Sequence, residues 1–121
     1  MAIQRFGRSD VHGALISRGV MHDGTLFLSG TTANDLSGST ITQTEAVLAE
    51  IEELLREAGT DKKNLLTVHI WLADMSDFQA MNVVWNGWVD LENPPARTCV
   101  SGKLYHPNCR IEIAASAIVD G

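Results

Sequence analysis

The chain is short of cysteine, of long apolar runs and of basic residues, and each shortage excludes a class of protein. Its two cysteines, Cys99 and Cys109, have a spacing that matches no zinc motif. No segment approaches the roughly 20 apolar residues of a membrane span, and the start has no apolar stretch of signal-peptide length. We therefore expect a cytoplasmic protein without a membrane partner, in which both cysteines are free thiols.

Basic side chains are too few and too scattered for a nucleic-acid-binding surface. Nine Lys and Arg stand against fifteen Asp and Glu, which gives a formal net charge of −6. Nucleic-acid-binding proteins usually carry a basic stripe whose contacts with phosphate release counterions. We therefore expect no nucleic-acid partner.

Familiar catalytic and metal-binding motifs are missing as well. The four histidines, at positions 12, 22, 69 and 106, form no metal-ligating pattern. The sequence has no phosphate-binding glycine loop and no Ser-His-Asp or Cys-His arrangement. We predict no metal site, and we expect the histidines to lie in loops or on strand surfaces.

What the sequence contains is typical of an ordinary globular protein. Apolar residues make up 45% and charged residues 20% of the 121 positions. This length fits one domain and allows a hydrophobic core that needs no metal or disulfide for its stability. We expect residues 1–121 to form a single domain.

Local patterns in the first half predict strands followed by a helix. Residues 23–24, Asp-Gly, supply the positive φ of a tight hairpin turn, and a short buried strand then leads into residues 29–30. Thr42 and Glu45 form a capping box, in which each side chain satisfies a free N–H of the first helical turn. Apolar residues then recur at helical spacing until Gly59, which favours a helix end there.

The second half of the chain alternates between strands and a helix. Alternation predicts that Leu66, Val68, Ile70 and Leu72 share one face of a half-buried strand. The remaining predicted elements are a helix from about residue 76 and two strands at about 96–103 and 109–119, joined by a hairpin turn near 105–108. This order predicts an α+β fold with a single mixed β-sheet, two helices on one face and a partner subunit on the other.

Two charged residues on these last strands are candidates for function. Alternation places Arg97 beside Cys99 on one face of its strand, and a guanidinium there requires an anionic partner because burying an unpaired charge is costly. Its planar fork matches a carboxylate ligand. The alternative is a salt bridge within the protein or to a neighbouring subunit.

Glu112 is the second candidate, since it interrupts an otherwise apolar strand. It faces away from Ile111 and Ile113 and is able to position a water molecule as a general base. The alternative is a surface glutamate on an edge strand, paired with Arg110 or Lys103. The residues alone therefore predict an anion site on a sheet with a carboxylate nearby, and both alternatives stay open.

The segments that carry these residues resemble those of a known family. Residues 93–100, Asn-Pro-Pro-Ala-Arg-Thr-Cys-Val, followed by 110–115, Arg-Ile-Glu-Ile-Ala-Ala, closely resemble the C-terminal signature of the Rid (YjgF/YER057c/UK114) family. Pieces at 27–30, 55–59 and 68–75 agree with the same family in order and spacing. The resemblance spans nearly the whole chain.

The resemblance implies a chorismate-mutase-like fold, a homotrimer with clefts between subunits, and an enzyme without cofactors. Its reaction is the hydrolytic deamination of reactive 2-imino or 2-enamino acids to 2-keto acids and ammonia. By resemblance, Arg97 holds the substrate carboxylate, the backbone of Cys99 touches the ligand, and Glu112 orients the water or the substrate nitrogen. Ser29 and Gly30 line the cleft. The partners implied are a small imino or keto carboxylate and further copies of the chain.

One position departs from the family pattern. Ile16 occupies the place of a tyrosine that closes the cleft in many active members, so its apolar wall is expected to alter substrate preference or weaken activity. The alternative function is a non-catalytic trimer that binds small carboxylates or keto acids, and ribonuclease activity is disfavoured by the acidic charge. Because Arg97 and Glu112 fall out of register in the predicted hairpin, we expect a cleft that combines two subunits.

Overall fold

The computed structural model describes residues 2–119, which form six strands and two α-helices. The strands are β1 (Gln4–Ser9), β2 (Ile16–His22), β3 (Thr25–Thr31), β4 (Leu65–Leu72), β5 (Ala96–Ser101) and β6 (Ile111–Ile118), and the helices are α1 (Thr40–Glu57) and α2 (Phe78–Trp88). Short 3-10 turns precede β2, β4 and α2. None of the helices in this described part is long and apolar enough to cross a membrane.

The six strands form one sheet in the order β1-β2-β3-β6-β4-β5. All neighbouring strands are antiparallel except β4 and β5, which are parallel. Both helices pack on the same face of this sheet, and their apolar residues join those of the strands in a single core. The predicted fold class, a mixed sheet with two helices on one face, is therefore confirmed.

The core contains alternate residues of the central strands and one stripe of each helix. In α1 and α2 the buried side chains recur at helical spacing, as for Ile51, Leu55, Met81 and Trp85. Burying one large apolar side chain of this kind stabilises a fold by about 1.5–3 kcal/mol. The opposite face of the sheet has no helix over it in the described chain, and it exposes 53% of Phe27.

The start of α1 differs from the prediction. Its N-cap is Ser39, whose Oγ accepts a hydrogen bond from Thr42 N at 3.3 Å. The Thr42–Glu45 capping box is therefore wrong, because Ser39 has the extended backbone and the short hydroxyl side chain that an N-cap needs. Thr42 instead lies in the first turn and donates its hydroxyl to Ser39 O.

A β-bulge corrects the predicted alternation in β4. Leu65 pairs with Ala117 and Thr67 with Ser116, so β4 has one extra residue there. The extra residue turns Leu66 outward, where 40% of it is exposed, and Leu65 enters the core in its place. Alternation places Val68, Ile70 and Leu72 in the core as predicted.

The two hairpin predictions have opposite outcomes. Asp23 and Gly24, with φ of 51° and 78°, form the tight turn between β2 and β3, which confirms the first. The second is wrong, since β5 and β6 are not neighbours: β4 lies between them. Residues 102–110 form a crossover loop, because β5 pairs parallel to β4 and the chain must return past β4 to enter β6.

Candidate functional site

A β-bulge in β3 brings Gly30 against Glu112. Leu28 pairs with Ala115 and Thr31 with Ile113, so β3 contains one more residue than β6 over this stretch. The bulge allows Gly30 to face the Glu112 side chain, and a Cβ built on Gly30 would lie 2.1 Å from Glu112 Oε2. Only glycine therefore admits the carboxylate at this place.

A cavity of about 90 Å³, the Glu112 cavity, opens beside this bulge; Gly30 lines it, and the Glu112 carboxylate lies against Gly30. Its lining residues come from β1, β2, β3 and the loops next to them, and they are Ser9, His12, Ile16, Arg18, Ser29, Gly30, Thr31, Thr32 and Asn34. The structure thus brings together three of the residues singled out in the sequence, Ile16, Ser29 and Gly30, with Glu112 against Gly30. Ile16 contributes an apolar side chain to the wall.

Arg97 lies half-buried on β5, at the edge of the sheet. Its Cζ is 5.3 Å from the ring centroid of Trp85 and 5.7 Å from that of Phe78, while Nη1 is 3.9 Å from Met81 Sδ. The ring faces of Trp85 and Phe78 attract the guanidinium and hold it in one region. They do not neutralise its charge.

Neither Arg97 nor Glu112 has an ionic partner within residues 2–119. Arg110, one of the two predicted partners of Glu112, instead pairs with Asp77 at 2.8 Å. The strand β6 also lies between β3 and β4, so Glu112 is not on an edge strand. The salt bridges predicted within one chain are therefore wrong for residues 2–119, while a salt bridge of Arg97 to a neighbouring subunit stays a prediction.

Cys99 shares the helix-covered face of β5 with Arg97. Arg97 pairs with Val68 and Cys99 with Ile70, and both partners point into the core, which confirms the predicted alternation. Burial raises the pKa of the Cys99 thiol, against the smaller opposing effect of the Arg97 charge. The thiol is therefore protonated near neutral pH and is a poor nucleophile.

Arg97 and Glu112 lie on opposite faces of the sheet. Glu112 pairs with Trp71 on the face without helices, whereas Arg97 points to the helix side. A single chain therefore does not bring the two side chains together. Arg97 is nevertheless on an edge strand, so a second copy that approaches this edge is able to present its own Glu112 cavity to it.

Two side chains near these residues escaped the sequence interpretation. His12 lines the Glu112 cavity, although it lies in a loop and belongs to no recognisable motif. Asn82, one helical turn after Phe78, has a buried Oδ1 without a hydrogen-bond partner in the described part of the chain. Isolated polar residues give no periodic signal, so only the fold reveals both.

A separate polar network fixes the start of α2 to the start of α1. Asp77 accepts hydrogen bonds from the Thr40 hydroxyl at 2.7 Å and from Arg110 Nη2 at 2.8 Å. The hydrogen bond from Thr40 and that from Arg110 lower the pKa of Asp77. Arg110 is thereby committed to structure, which distinguishes it from Arg97. No cluster of three His, Cys, Asp or Glu side chains able to hold a metal ion occurs among residues 2–119.

Comparisons with known proteins match this chain along most of its length. The family model described as endoribonuclease L-PSP matches residues 12–119. A RutC family protein of Haemophilus influenzae is 35% identical over 118 residues, which cover 97% of this chain and 98% of the relative. The protein named 3-aminoacrylate deaminase RutC from Acinetobacter baylyi is 39% identical over 82 residues, covering 68% of this chain and 64% of that protein.

A solved structure agrees with the sequence relatives. The crystal structure of a YjgF-family protein from Neisseria meningitidis superposes with a TM-score of 0.91 at 38% identity and covers 100% of this chain and 98% of that one. The family model, the curated relatives and this structure all identify one group of proteins, which also bears out the resemblance found in the sequence. The chain belongs to the Rid (YjgF/YER057c/UK114) family.

Proposed function

We propose that this protein hydrolyses small 2-imino and 2-enamino acids to 2-keto acids and ammonia, in clefts between the subunits of a cytoplasmic homotrimer. The observation that carries the proposal is Arg97, a half-buried guanidinium on an edge strand that has no acidic partner among residues 2–119. A relative that bears the name 3-aminoacrylate deaminase supports the reaction class.

The reaction depends on binding and orienting the substrate more than on a reactive group supplied by the protein. An imine carbon is attacked by water, the π electrons of the C=N bond move to nitrogen, and a carbinolamine forms. The C–N bond then breaks with its electron pair on nitrogen, ammonia leaves, and the hydroxyl becomes the keto oxygen. Imines hydrolyse in water unaided, so holding the substrate beside a placed water is a sufficient contribution. The proposal therefore includes no metal, organic cofactor or covalent nucleophile.

Each candidate residue has a role that suits its position. Arg97 binds the substrate carboxylate with its planar fork, while the Phe78 and Trp85 rings keep the guanidinium in place. The backbone at Cys99 contacts the same ligand. Glu112 accepts a proton from the attacking water as a general base, and it lies against Gly30, which lines the cavity.

The cavity wall argues for small substrates. Ser29 and Gly30 form one side of it and Ile16 another, and the space within one chain is about 90 Å³. This half of the cleft is small, which favours a small substrate. Ile16 offers dispersion contact without a hydrogen bond, which favours short aliphatic side chains.

The cleft is proposed to lie between subunits because one chain holds its two charges on opposite faces of the sheet. The face without helices is also apolar in part, with 53% of Phe27 and 44% of Val100 exposed. Exposed apolar area of this kind is typical of interaction surfaces. A closed ring of three copies would cover this face and bring Arg97 of one subunit to the Glu112 cavity of the next.

Replacing Arg97 tests the proposed function directly. A 2-imino acid is generated in situ by an amino-acid oxidase, and keto-acid release is followed above the rate measured without the protein. We expect Arg97→Ala to lose at least about 100-fold in kcat/KM, because a charge-assisted bidentate contact is removed, and Arg97→Lys to recover only part of it. Arg56→Ala, at an exposed position of α1, is the matched control and retains wild-type activity. Equal rates for Arg97→Ala and wild type across several imino acids would exclude the proposal.

A non-catalytic binding trimer is the second candidate. Ile16 favours it, because this wall of the cavity offers the ligand no hydrogen bond. Such a protein would show a rise in Tm with small keto acids that depends on Arg97, without any acceleration of imine hydrolysis. Turnover that depends on Arg97 excludes this candidate.

A further inference from the structure

His12 lies in the Glu112 cavity with an unusual backbone. It is the middle residue of the 3-10 turn at Val11–Gly13, and its φ of 64° and ψ of 20° place it in the left-handed region. A residue other than glycine adopts this region at a cost, and such strain is concentrated at functional sites. The His12 side chain lines the same cavity as Ile16, Ser29 and Gly30.

Tyr105 holds the His12 ring from a distant part of the chain. The two ring centroids are 3.9 Å apart, with 37° between the ring planes. Tyr105 belongs to the crossover loop between β5 and β6 and is the single tyrosine of the chain. Two loops about 90 positions apart in sequence therefore meet at one imidazole, and aromatic contacts of this kind favour a defined ring position.

The deamination gains from a second proton-transfer group beside Glu112, because in each step an oxygen loses one proton and the nitrogen gains one. A proton must leave the water as oxygen bonds to carbon, and the nitrogen must gain two protons before it departs as ammonia. One carboxylate supplies one site for these transfers. An imidazole is well suited as the second, since it both donates and accepts protons near neutral pH.

We propose that His12 is a second proton-transfer residue of this site, with Tyr105 as its positioning residue; this inference rests on the proposed function. Glu112 takes a proton from the attacking water while protonated His12 gives one to the imine nitrogen, which forms the carbinolamine. His12 then takes the hydroxyl proton as the C=O bond forms, and Glu112 returns its proton to the nitrogen. The C–N bond breaks with its electron pair on nitrogen, and both residues recover their starting states.

Charged and titratable groups from four other parts of the chain lie around His12. Arg18 lines the same cavity from β2 and pairs with Glu50 of α1 at 3.1 Å, while the Glu112 carboxylate approaches from β6. Asp10 precedes the turn, and the Tyr105 hydroxyl belongs to the crossover loop. Since the first step requires ionised Glu112 and protonated His12, we expect a bell-shaped profile whose alkaline side belongs to His12.

The left-handed backbone makes the test sharp, because Asn and Gly both tolerate φ near 64° and keep the turn intact. In the wild-type trimer background, His12→Asn and His12→Gly are expected to lose about 100-fold in kcat, the lower end for a general acid–base residue, with a smaller change in KM. The alkaline limb of the pH profile disappears in His12→Asn. Added imidazole restores part of the rate in His12→Gly, which a purely structural role does not predict. His22→Asn, an exposed histidine in the β2–β3 hairpin, keeps wild-type kcat.

Tyr105 is tested by the same assay. Tyr105→Phe retains the ring contact and keeps kcat within about twofold, whereas Tyr105→Ala lowers kcat about tenfold by releasing the imidazole. The inference is overturned if the His12 variants keep wild-type kcat and an unchanged alkaline limb and show no effect of added imidazole. Turnover that depends on Arg97 would remain in that case. Loss of Arg97 dependence instead overturns the proposed function itself, so the two failures are distinguishable.

Discussion

Gly30 leaves room for the Glu112 carboxylate beside the cavity. The Gly30→Ala variant introduces a methyl group whose carbon would lie 2.1 Å from Glu112 Oε2 and 3.0 Å from its Cδ. The carboxylate must move away, because real contacts never approach this closely. We expect kcat to fall about 100-fold with little change in KM, since binding by Arg97 is untouched and only the base is displaced. Deaminase kinetics and a thermal melt are the measurements.

Gly87 provides the matched control for this substitution. It lies in α2, and a Cβ added there meets nothing within 4 Å. Gly87→Ala is therefore expected to stabilise the protein by about 0.5–1 kcal/mol through helix propensity and to leave kcat unchanged. A Gly30→Ala variant with wild-type kcat would contradict the role of Glu112 as the base.

The two arginines Arg97 and Arg110 show which features of the candidate site the sequence predicts and which it does not. Alternation in the sequence predicts that Arg97 and Cys99 share a face, and the pairing of β5 with β4 confirms it. The sequence does not tell which arginine lacks a partner. Arg110 meets Asp77, 33 positions away, through the packing of α2 beside the end of the crossover loop, and no local pattern encodes that contact.

At the scale of elements, Gln43 connects α1 to the loop before it and to the crossover loop between β5 and β6. It is 1% exposed, and its Nε2 donates to Asn108 O at 2.9 Å, Gly38 O at 3.1 Å and Leu36 O at 3.3 Å. Its Oε1 accepts from Arg110 N at 2.9 Å. One buried amide therefore satisfies backbone groups of both loops, a function that an apolar side chain of equal length does not perform.

Gln43→Met tests this connection. The variant keeps the side-chain length and removes the partner of three carbonyls and one N–H. Of these, the groups of half-buried residues, Leu36 O and Arg110 N, cost about 1–3 kcal/mol each when left unpaired. We expect the free energy of unfolding to fall by about 3 kcal/mol, measured by urea denaturation. Gln79→Met, at an exposed position of α2, is expected to change it by less than about 0.5 kcal/mol. A Gln43→Met variant as stable as the control would show that these hydrogen bonds contribute nothing net.

The elements themselves are largely predictable, and their neighbours are not. Helical and alternating periodicity identify α1, α2 and the central strands because burial acts on every turn or every second residue. The bulges at Leu66 and at residues 29–30 break this rule by one residue, so the alternation predicts the wrong face for Leu66. Strand order depends on which existing strand the chain pairs with next, and local patterns do not encode that choice. For this reason the sequence predicts a hairpin of β5 and β6, although β4 lies between them.

At the scale of the whole molecule, the two halves of the proposed site belong to different surfaces. The Glu112 half opens beside β2 and β3, and the Arg97 half lies at the opposite edge of the sheet, on β5. The order of the six strands separates them by at least β4. A protein of this design is expected to have no deaminase activity as a monomer, and its activity should fall on dilution in parallel with dissociation of the oligomer.

Complementation between two inactive variants tests whether neighbouring subunits share each site. Arg97→Ala and Glu112→Gln chains, carrying different affinity tags, are unfolded together, refolded as a mixture and purified through both tags. If each site takes its arginine from one subunit and its glutamate from the next, every doubly tagged trimer has both native side chains in one of its three sites, so about one third of wild-type activity returns. The control mixture pairs Arg97→Ala with the double variant Arg97→Ala/Glu112→Gln and stays inactive, because no chain in it has Arg97. Doubly tagged oligomers without activity in the first mixture would mean that no site is formed from the Arg97 of one subunit and the Glu112 of its neighbour.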